Sequence, residues 1–338
     1  MKKLKWVTIF GLMLTAGWAI YLLIKPLGIQ QKEFHLYISK DKGYTALTDS
    51  LEKILGKGQL LIFSGMSKAF SYDRHVKSGH YLITNKLNLL RLFFKLRNGR
   101  QDPVNVTFLS PKTKEQFAAV IDKQLEISNT EILQKLYSPV AASQFGFDTN
   151  TFFTMFIPNT YQFYWNCNVD EFFKRMAGEY KKFWNEQRKA KAKDIGLSQS
   201  QVAILASIVQ AEQTQYPSEW PIIAGLYLNR LKLGMPLQSD PTIIFAWRDF
   251  TIKRVLNYHL NIDSPYNTYK YAGLPPGPVL LPLPAAIDAV LNYQKHNYLY
   301  MCAKDDLSGM HNFASTYEQH LINAQKYRKK LNQLRIMK

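Results

Sequence analysis

Residues 198–212 read Ser-Gln-Ser-Gln-Val-Ala-Ile-Leu-Ala-Ser-Ile-Val-Gln-Ala-Glu. Ser198 followed three residues later by Gln201 has capping-box spacing, which predicts a helix opening at Gln199. Val202, Leu205, Ala206, Ile208 and Val209 then form an apolar stripe. Glu212 falls at i+7 from Leu205, i+4 from Ile208 and i+3 from Val209. Its carboxyl group therefore projects from the buried face of this helix. Apolar surroundings penalise the charged form and raise the pKa, as a general acid working near neutral pH requires. A helix-terminal Glu that merely reaches solvent is the alternative on spacing alone.

Downstream come Asn229-Arg230-Leu231, Gly234-Met235-Pro236-Leu237-Gln238-Ser239-Asp240-Pro241-Thr242, Ser264-Pro265-Tyr266-Asn267-Thr268-Tyr269, Gly273-Leu274-Pro275-Pro276-Gly277-Pro278 and Gly309-Met310-His311-Asn312-Phe313. These polar, turn-forming segments between apolar ones have the make-up of loops lining a site on a rigid frame. Tyr266, Tyr269 and Trp247 suit stacking on sugar rings, and Gln238, Asn267 and His311 suit hydrogen bonding to hydroxyls or amides. His311 reads as a loop residue and His320 as structural. They form no His-x-x-x-His zinc pattern.

Upstream, residues 170–194 read as strongly basic and helical, with Phe172, Phe173, Met176, Tyr180 and Phe183 on the side opposite the lysines. A solvated face is the plain reading, and contact with anionic glycan or lipid is the functional one. The run 326–338, with six basic residues and no acid, invites the same two readings. Residues 33–105 read as a small α/β module: a strand at 34–38, a helix over 44–55, and an extended piece around 60–63. A helix over 87–96 and a strand at 104–108 complete it.

The amino-terminal segment decides the address. From Trp6 to Ile24 there is no charge, and these residues in a helix rise about 28 Å, close to a hydrocarbon thickness of about 30 Å. Trp6 and Tyr21 sit where interfacial rings belong. A cleaved signal peptide is the rival, but Leu22-Leu23-Ile24-Lys25-Pro26 offers no small-x-small cleavage site. Lys2, Lys3 and Lys5 against Lys25 and Lys32 keep the amino terminus cytoplasmic by the positive-inside rule. The next most apolar run, Leu87–Phe94, carries Arg91 and is too short to span.

Composition agrees with a folded chain: 338 residues, 46% hydrophobic and 14% aromatic, which excludes disorder and low-complexity polymers. The net charge of +18 calls for an anionic partner. An extracytoplasmic placement removes nucleic acid and leaves the membrane surface and acidic polymers. Cys167 and Cys302 make no disulfide framework or metal pattern and read as small buried hydrophobes, with one long-range bridge as the alternative.

The motifs from Leu205-Ala206-Ser207-Ile208-Val209 to His311-Asn312-Phe313 and His320, in order, resemble the endolytic murein transglycosylase (YceG-like) family. Phe156-Ile157-Pro158-Asn159-Thr160-Tyr161 resembles a further family segment. The single anchor and a small LysM-like module are family features as well. The resemblance implies an α+β chain: a cytoplasmic tail (1–5), a transmembrane helix (6–24), a LysM-like α/β module (33–105) and a larger mixed α+β catalytic region (106–335). It implies a lyase of the inner membrane that cuts within nascent peptidoglycan strands, leaves 1,6-anhydro-N-acetylmuramic acid ends and terminates strand elongation. Peptidoglycan synthases are its implied partners, and no cofactor or metal is called for.

The family's catalytic glutamate falls on Glu212, while the first acidic position of that segment is Gln210 here. From the loop segments themselves, Gln238, Asp240, Tyr266, Asn267, Tyr269 and His311 are the candidate substrate-binding residues. A hydrolase needs two carboxylates, whereas a lyase manages with one. Asp240 reads as a turn or substrate-orienting residue. As a nucleophile it would make the protein a muramidase. A glycan-binding scaffold without activity is the remaining class.

Overall fold

The computed structural model describes residues 2–29 and 31–334. The last four residues of the basic run 326–338 lie outside the described residues, as do the side chains of residues 1–5, with the lysines of the orientation argument among them. About half the chain is helical, with three two-stranded sheets among the described residues, so the fold is mixed α+β. It divides into two compact units, residues 1–106 with 122–127 and 161–168, and residues 107–121, 128–160 and 169–338.

The first unit carries α1 (Lys2–Ile24), β1 (Glu33–Ile38), α2 (Tyr44–Glu52), α3 (Lys57–Ala69), β2 (Gly79–Thr84) and α4 (Leu89–Arg97). α1 holds the uncharged residues Trp6–Ile24, almost wholly exposed, and is long and apolar enough to cross a membrane. β1 and β2 pair antiparallel from Glu33↔Thr84 to Ile38↔Gly79. Inward residues Leu36, Ile38, Tyr81 and Ile83 pack with Leu51 of α2, Phe63 of α3 and Phe93 of α4. The end of α1 joins this core. Leu27 is buried in it, Leu23 packs against it and Leu22 is buried nearby against α3; Leu27 N–H donates to Leu87 O at 2.9 Å, and Pro26 bridges Asn88.

The extended piece expected at 60–63 is helical instead, inside α3. Gln59, Phe63 and Ser67 turn inward at i, i+4 and i+8, a helical repeat that Gly56, Gly58 and Gly65 disguise in the sequence. Gly58 has a use: a Cβ there would stand 3.0 Å from Leu22 Cδ1.

β3 (Val104–Phe108) and β4 (Asn159–Phe163) form the second two-stranded sheet. The second unit is built on α5 (Lys114–Asp122), α6 (Asn129–Tyr137), α7 (Pro139–Gln144), α8 (Val169–Phe183), α9 (Glu186–Asp194), α10 (Gln199–Glu212), α11 (Trp220–Lys232), α12 (Asp240–Trp247), α13 (Pro284–Leu291) and α14 (Tyr317–Gln333), with β5 (Tyr300–Ala303) antiparallel to β6 (His311–Ala314). The basic stretch expected as one helical run is broken, because Asn185 caps a new helix by accepting from Arg188 N.

α10 starts at Gln199 with both capping-box bonds formed, Ser198 Oγ accepting from Gln201 N at 3.2 Å and Gln201 Oε1 from Ser198 N at 2.8 Å. Its burial exceeds a stripe: every residue from Val202 to Gln210 is buried. A helix enclosed on all sides is a core helix, and α11 (Ile223, Tyr227) and α13 (Ile287, Val290) pack with it. Three loop expectations also change. Asn229-Arg230-Leu231 lies inside α11, Asp240-Pro241-Thr242 opens α12, and His311 opens β6 opposite Ala303.

Candidate active site

Glu212 is the last residue of α10 and lines a cavity of about 320 Å³. One carboxylate oxygen, Oε1, accepts from Tyr227 Oη of α11 at 2.8 Å and from Ser239 Oγ, which precedes α12, at 2.5 Å. Oε2 has no hydrogen-bond partner among the described residues. Burial raises the Glu212 pKa; the Ser239 and Tyr227 hydrogen bonds oppose it, Asp240 adds to it and His311 opposes it, and the net direction is up. Burial and the neighbouring Glu212 push the Tyr227 hydroxyl far above its ordinary value, so it stays a donor.

A second buried acid, Glu219, stands behind His311. It ends the short 3₁₀ turn Pro217–Glu219 before α11 and has both oxygens occupied. Oε1 accepts from His311 N at 2.9 Å, and Oε2 lies 2.8 Å from both Gln213 Nε2 and His311 Nδ1. Burial pushes this carboxyl up, but the hydrogen bonds from His311 and Gln213 together outweigh it and hold it below its ordinary value. Gln213 Nε2 also reaches Gly309 O at 2.9 Å, so the end of α10 is tied to the start of β6. A carboxylate at Nδ1 fixes the proton there and turns Nε2 of His311 toward the cavity it lines.

Arg230, buried in α11, braces the opposite rim. It donates to Pro236 O, Leu237 O and Gln238 Oε1 at 3.0, 2.9 and 3.2 Å, and to Leu299 O at 2.6 Å. Gln238 sits in the left-handed region at φ 53° and its N–H donates to Thr268 O. Asp240, exposed on the first turn of α12, accepts from Tyr269 Oη at 2.6 Å.

The cavity thus gathers Glu212, Gln238, Asp240, Tyr269 and His311. Tyr266 and Asn267 lie elsewhere. Asn267 is fully buried; its amide donates to Leu260 O and Ile262 O, and its Oδ1 accepts from Tyr269 N and Lys270 N. It shapes the loop that presents Tyr269. Tyr266 packs on Phe245, ring centroids 4.6 Å apart, and lines a different cavity. Trp247 is half exposed, with its indole N–H on His259 O. His320 stacks on Tyr300 beside the Glu212 cavity. Neither cysteine is in a disulfide; Cys167 is buried and Cys302 is half-buried on the cavity wall.

Gln210 is a clamp. Its Nε2 donates to Ser110 Oγ at 2.9 Å and its Oε1 accepts from Leu283 N at 2.7 Å, so both ends of the amide are spent on structure.

The model of the YceG-like family matches residues 36–326. This chain belongs to the YceG-like family. An endolytic murein transglycosylase of Bacillus subtilis (strain 168) is 30% identical over 282 residues, 77% of each chain. One of Streptococcus pneumoniae serotype 2 (strain D39 / NCTC 7466) is 27% identical over 308 residues, 80% of this YceG-like chain and 54% of that one. The crystal structure of a YceG-like protein of Listeria monocytogenes covers 86% of this chain and 98% of its own, with TM-score 0.59 and 22% identity, a likeness of fold.

Proposed function

We propose that this YceG-like protein is a membrane-anchored peptidoglycan lytic transglycosylase that cuts the bond between N-acetylmuramic acid and N-acetylglucosamine within glycan strands. The observation that carries the reading is the Glu212 carboxyl, held up in pKa, with Oε1 fixed by two hydroxyl donors and Oε2 free on the cavity side. Because Oε1 is already spent, the proton resides on Oε2. It passes to the leaving glycosidic oxygen as the bond to the muramic C1 breaks. The resulting carboxylate takes the proton of the muramic C6 hydroxyl while that oxygen bonds to C1. The products are an anhydro end, a free 4-hydroxyl on the departing strand and Glu212 protonated again. Atoms and protons balance without water, metal or cofactor.

Asp240, Tyr269, Gln238 and His311 orient the sugars in this reading, and Asp240, held by Tyr269, acts through its position. α1 is the single-pass anchor in the inner membrane, with the amino terminus cytoplasmic and the rest outside. Residues 33–105 serve as the LysM-like module, for which the β1-α2-α3-β2 order speaks, and residues 106–335 as the catalytic region. Work beside peptidoglycan synthases, ending strand growth, follows from the same reading.

The test is incubation of the full chain in detergent with uncrosslinked glycan, followed by mass spectrometry. Anhydro ends are expected. Reducing ends in their place would make Asp240 the second carboxylate of a muramidase, and absence of cleavage would leave the scaffold. Within this reading, Tyr227→Phe removes one of the two hydrogen bonds that oppose the raised Glu212 pKa. The acid then keeps its proton to higher pH, so the alkaline limb of kcat/KM is expected to move upward. The lost donor is expected to cost about tenfold in rate.

A further inference from the structure

A second cavity, of about 360 Å³, opens in the same compact unit and shares no lining residue with the Glu212 cavity. We propose that it binds the anionic peptide carried by the substrate's muramic acid, with Arg248 and Lys112 receiving its carboxylates. The proposal rests on reading the Glu212 cavity as a peptidoglycan site.

Arg248 occupies the C-cap of α12 in the left-handed region, φ 57°. Helices favour glycine in that conformation at their C-terminal ends, and a side chain there carries a backbone cost. The guanidinium lines the cavity, and its ion pair with Glu115 is a single long contact of 3.4 Å. The guanidinium also meets the Tyr137 hydroxyl and lies 5.7 Å from the Phe245 ring centroid, which leaves donors of its planar fork for a carboxylate that it matches in shape. Lys112 Nζ stands 4.9 Å from the Phe250 ring centroid, and among the described residues it forms no ion pair. Lys114 is spent on structure, donating to Thr149 O at 2.8 Å and Leu136 O at 3.2 Å.

The nearby acids do not cancel this charge. Asp148 is saturated by Asn150 N at 2.7 Å, Thr151 N at 2.9 Å and Thr151 Oγ1 at 2.8 Å. Glu115 accepts from Tyr137 Oη as well as Arg248. With its lactyl groups amidated by the peptide, the glycan backbone itself is uncharged and gives Lys112 and Arg248 nothing to pair with. The peptide on the lactyl group brings carboxylates.

Two elements join the cavities. α12 begins with Asp240 at the Glu212 cavity and passes to Arg248 at the second, a run of about 12 Å. The loop 264–269 puts Tyr266 in the second cavity and Tyr269 in the first. An extended peptide of four residues spans at most about 14 Å, so one anchored beside the scissile bond reaches Arg248.

The experiment compares kcat/KM of the full chain on uncrosslinked glycan bearing peptides and on the same glycan stripped by an amidase. Lys112→Gln with Arg248→Asn removes both charges, and Asn keeps a residue that tolerates the left-handed backbone. The wild type is expected to prefer peptide-bearing strands by about tenfold, and the double variant to show a ratio near one. Equal ratios in the two proteins would overturn the proposal. If the wild type cuts neither glycan, the catalytic reading fails, and titration with a soluble stem tetrapeptide still decides the subsite. Saturable binding that Lys112→Gln weakens about tenfold supports it, and no saturable binding to the wild type refutes it.

Discussion

Glu212→Gln is expected to lower the formation of anhydro ends by about a thousandfold, the range that a positioned acid–base group supplies. The amide still accepts from Tyr227 and Ser239 through its oxygen, so the loss isolates proton transfer. The same substitution is expected to stabilise the fold at neutral and alkaline pH. The Glu212 pKa is raised in the folded protein, so its contribution to stability is full below the unfolded-state value and is lost as pH rises through the folded one. The neutral amide has no such loss. Thermal melts of the two proteins should converge at acidic pH and separate as pH rises. A variant that melts lower than wild type at every pH would contradict the cost assigned to the buried charge.

Glu219→Ala is the second large effect. It strips acceptors from His311 N, His311 Nδ1 and Gln213 Nε2, all facing a buried site. Orphaned donors of this kind cost about 3 kcal/mol, or about 6–12 °C in melting temperature at this domain size. Because hydrogen bonding holds the Glu219 pKa down, its stabilisation is present above the unfolded-state value and lost as pH falls through the folded one. The gap between wild type and variant should therefore close under acid conditions, opposite to the behaviour at Glu212. Activity should fall even where the variant is folded, since the His311 ring loses its orienting partner. A variant that melts like wild type would show that Glu219 is not the hub of this end of the cavity.

What could be read from the residues follows the range of the interactions. Ser198 and Gln201 act within one turn, and both of their bonds form. Glu212 was legible because its position relative to Leu205, Ile208 and Val209 is a matter of helix periodicity. Its donors were not, since Tyr227 and Ser239 lie fifteen and twenty-seven residues away and meet it only after α10, α11 and the start of α12 pack. Ser239 stands between Gln238 and Asp240, both singled out, but a small hydroxyl residue in a turn has no pattern of its own. Glu219 after Pro217-Ser218 reads as a solvent turn, and its one sign is the apolar run from Trp220 that begins immediately afterwards. Asn267 illustrates the converse. It looked like a hydrogen-bonding group offered to a ligand, and its side chain is spent on the backbone of its own loop.

The junction after α1 has a mechanical meaning. A flexible tether lets a domain wander over a radius that grows with the square root of its length. Here Leu22 and Leu27 are buried and Pro26 is bridged to Asn88, so no slack chain separates the apolar helix from the first unit. The helix acts as a mount and not as a leash. Any tilt or rotation of α1 is handed to the strands and helices of that unit, and a glycine–serine insert between Lys25 and Pro26 would unseat the module as well as lengthen its reach.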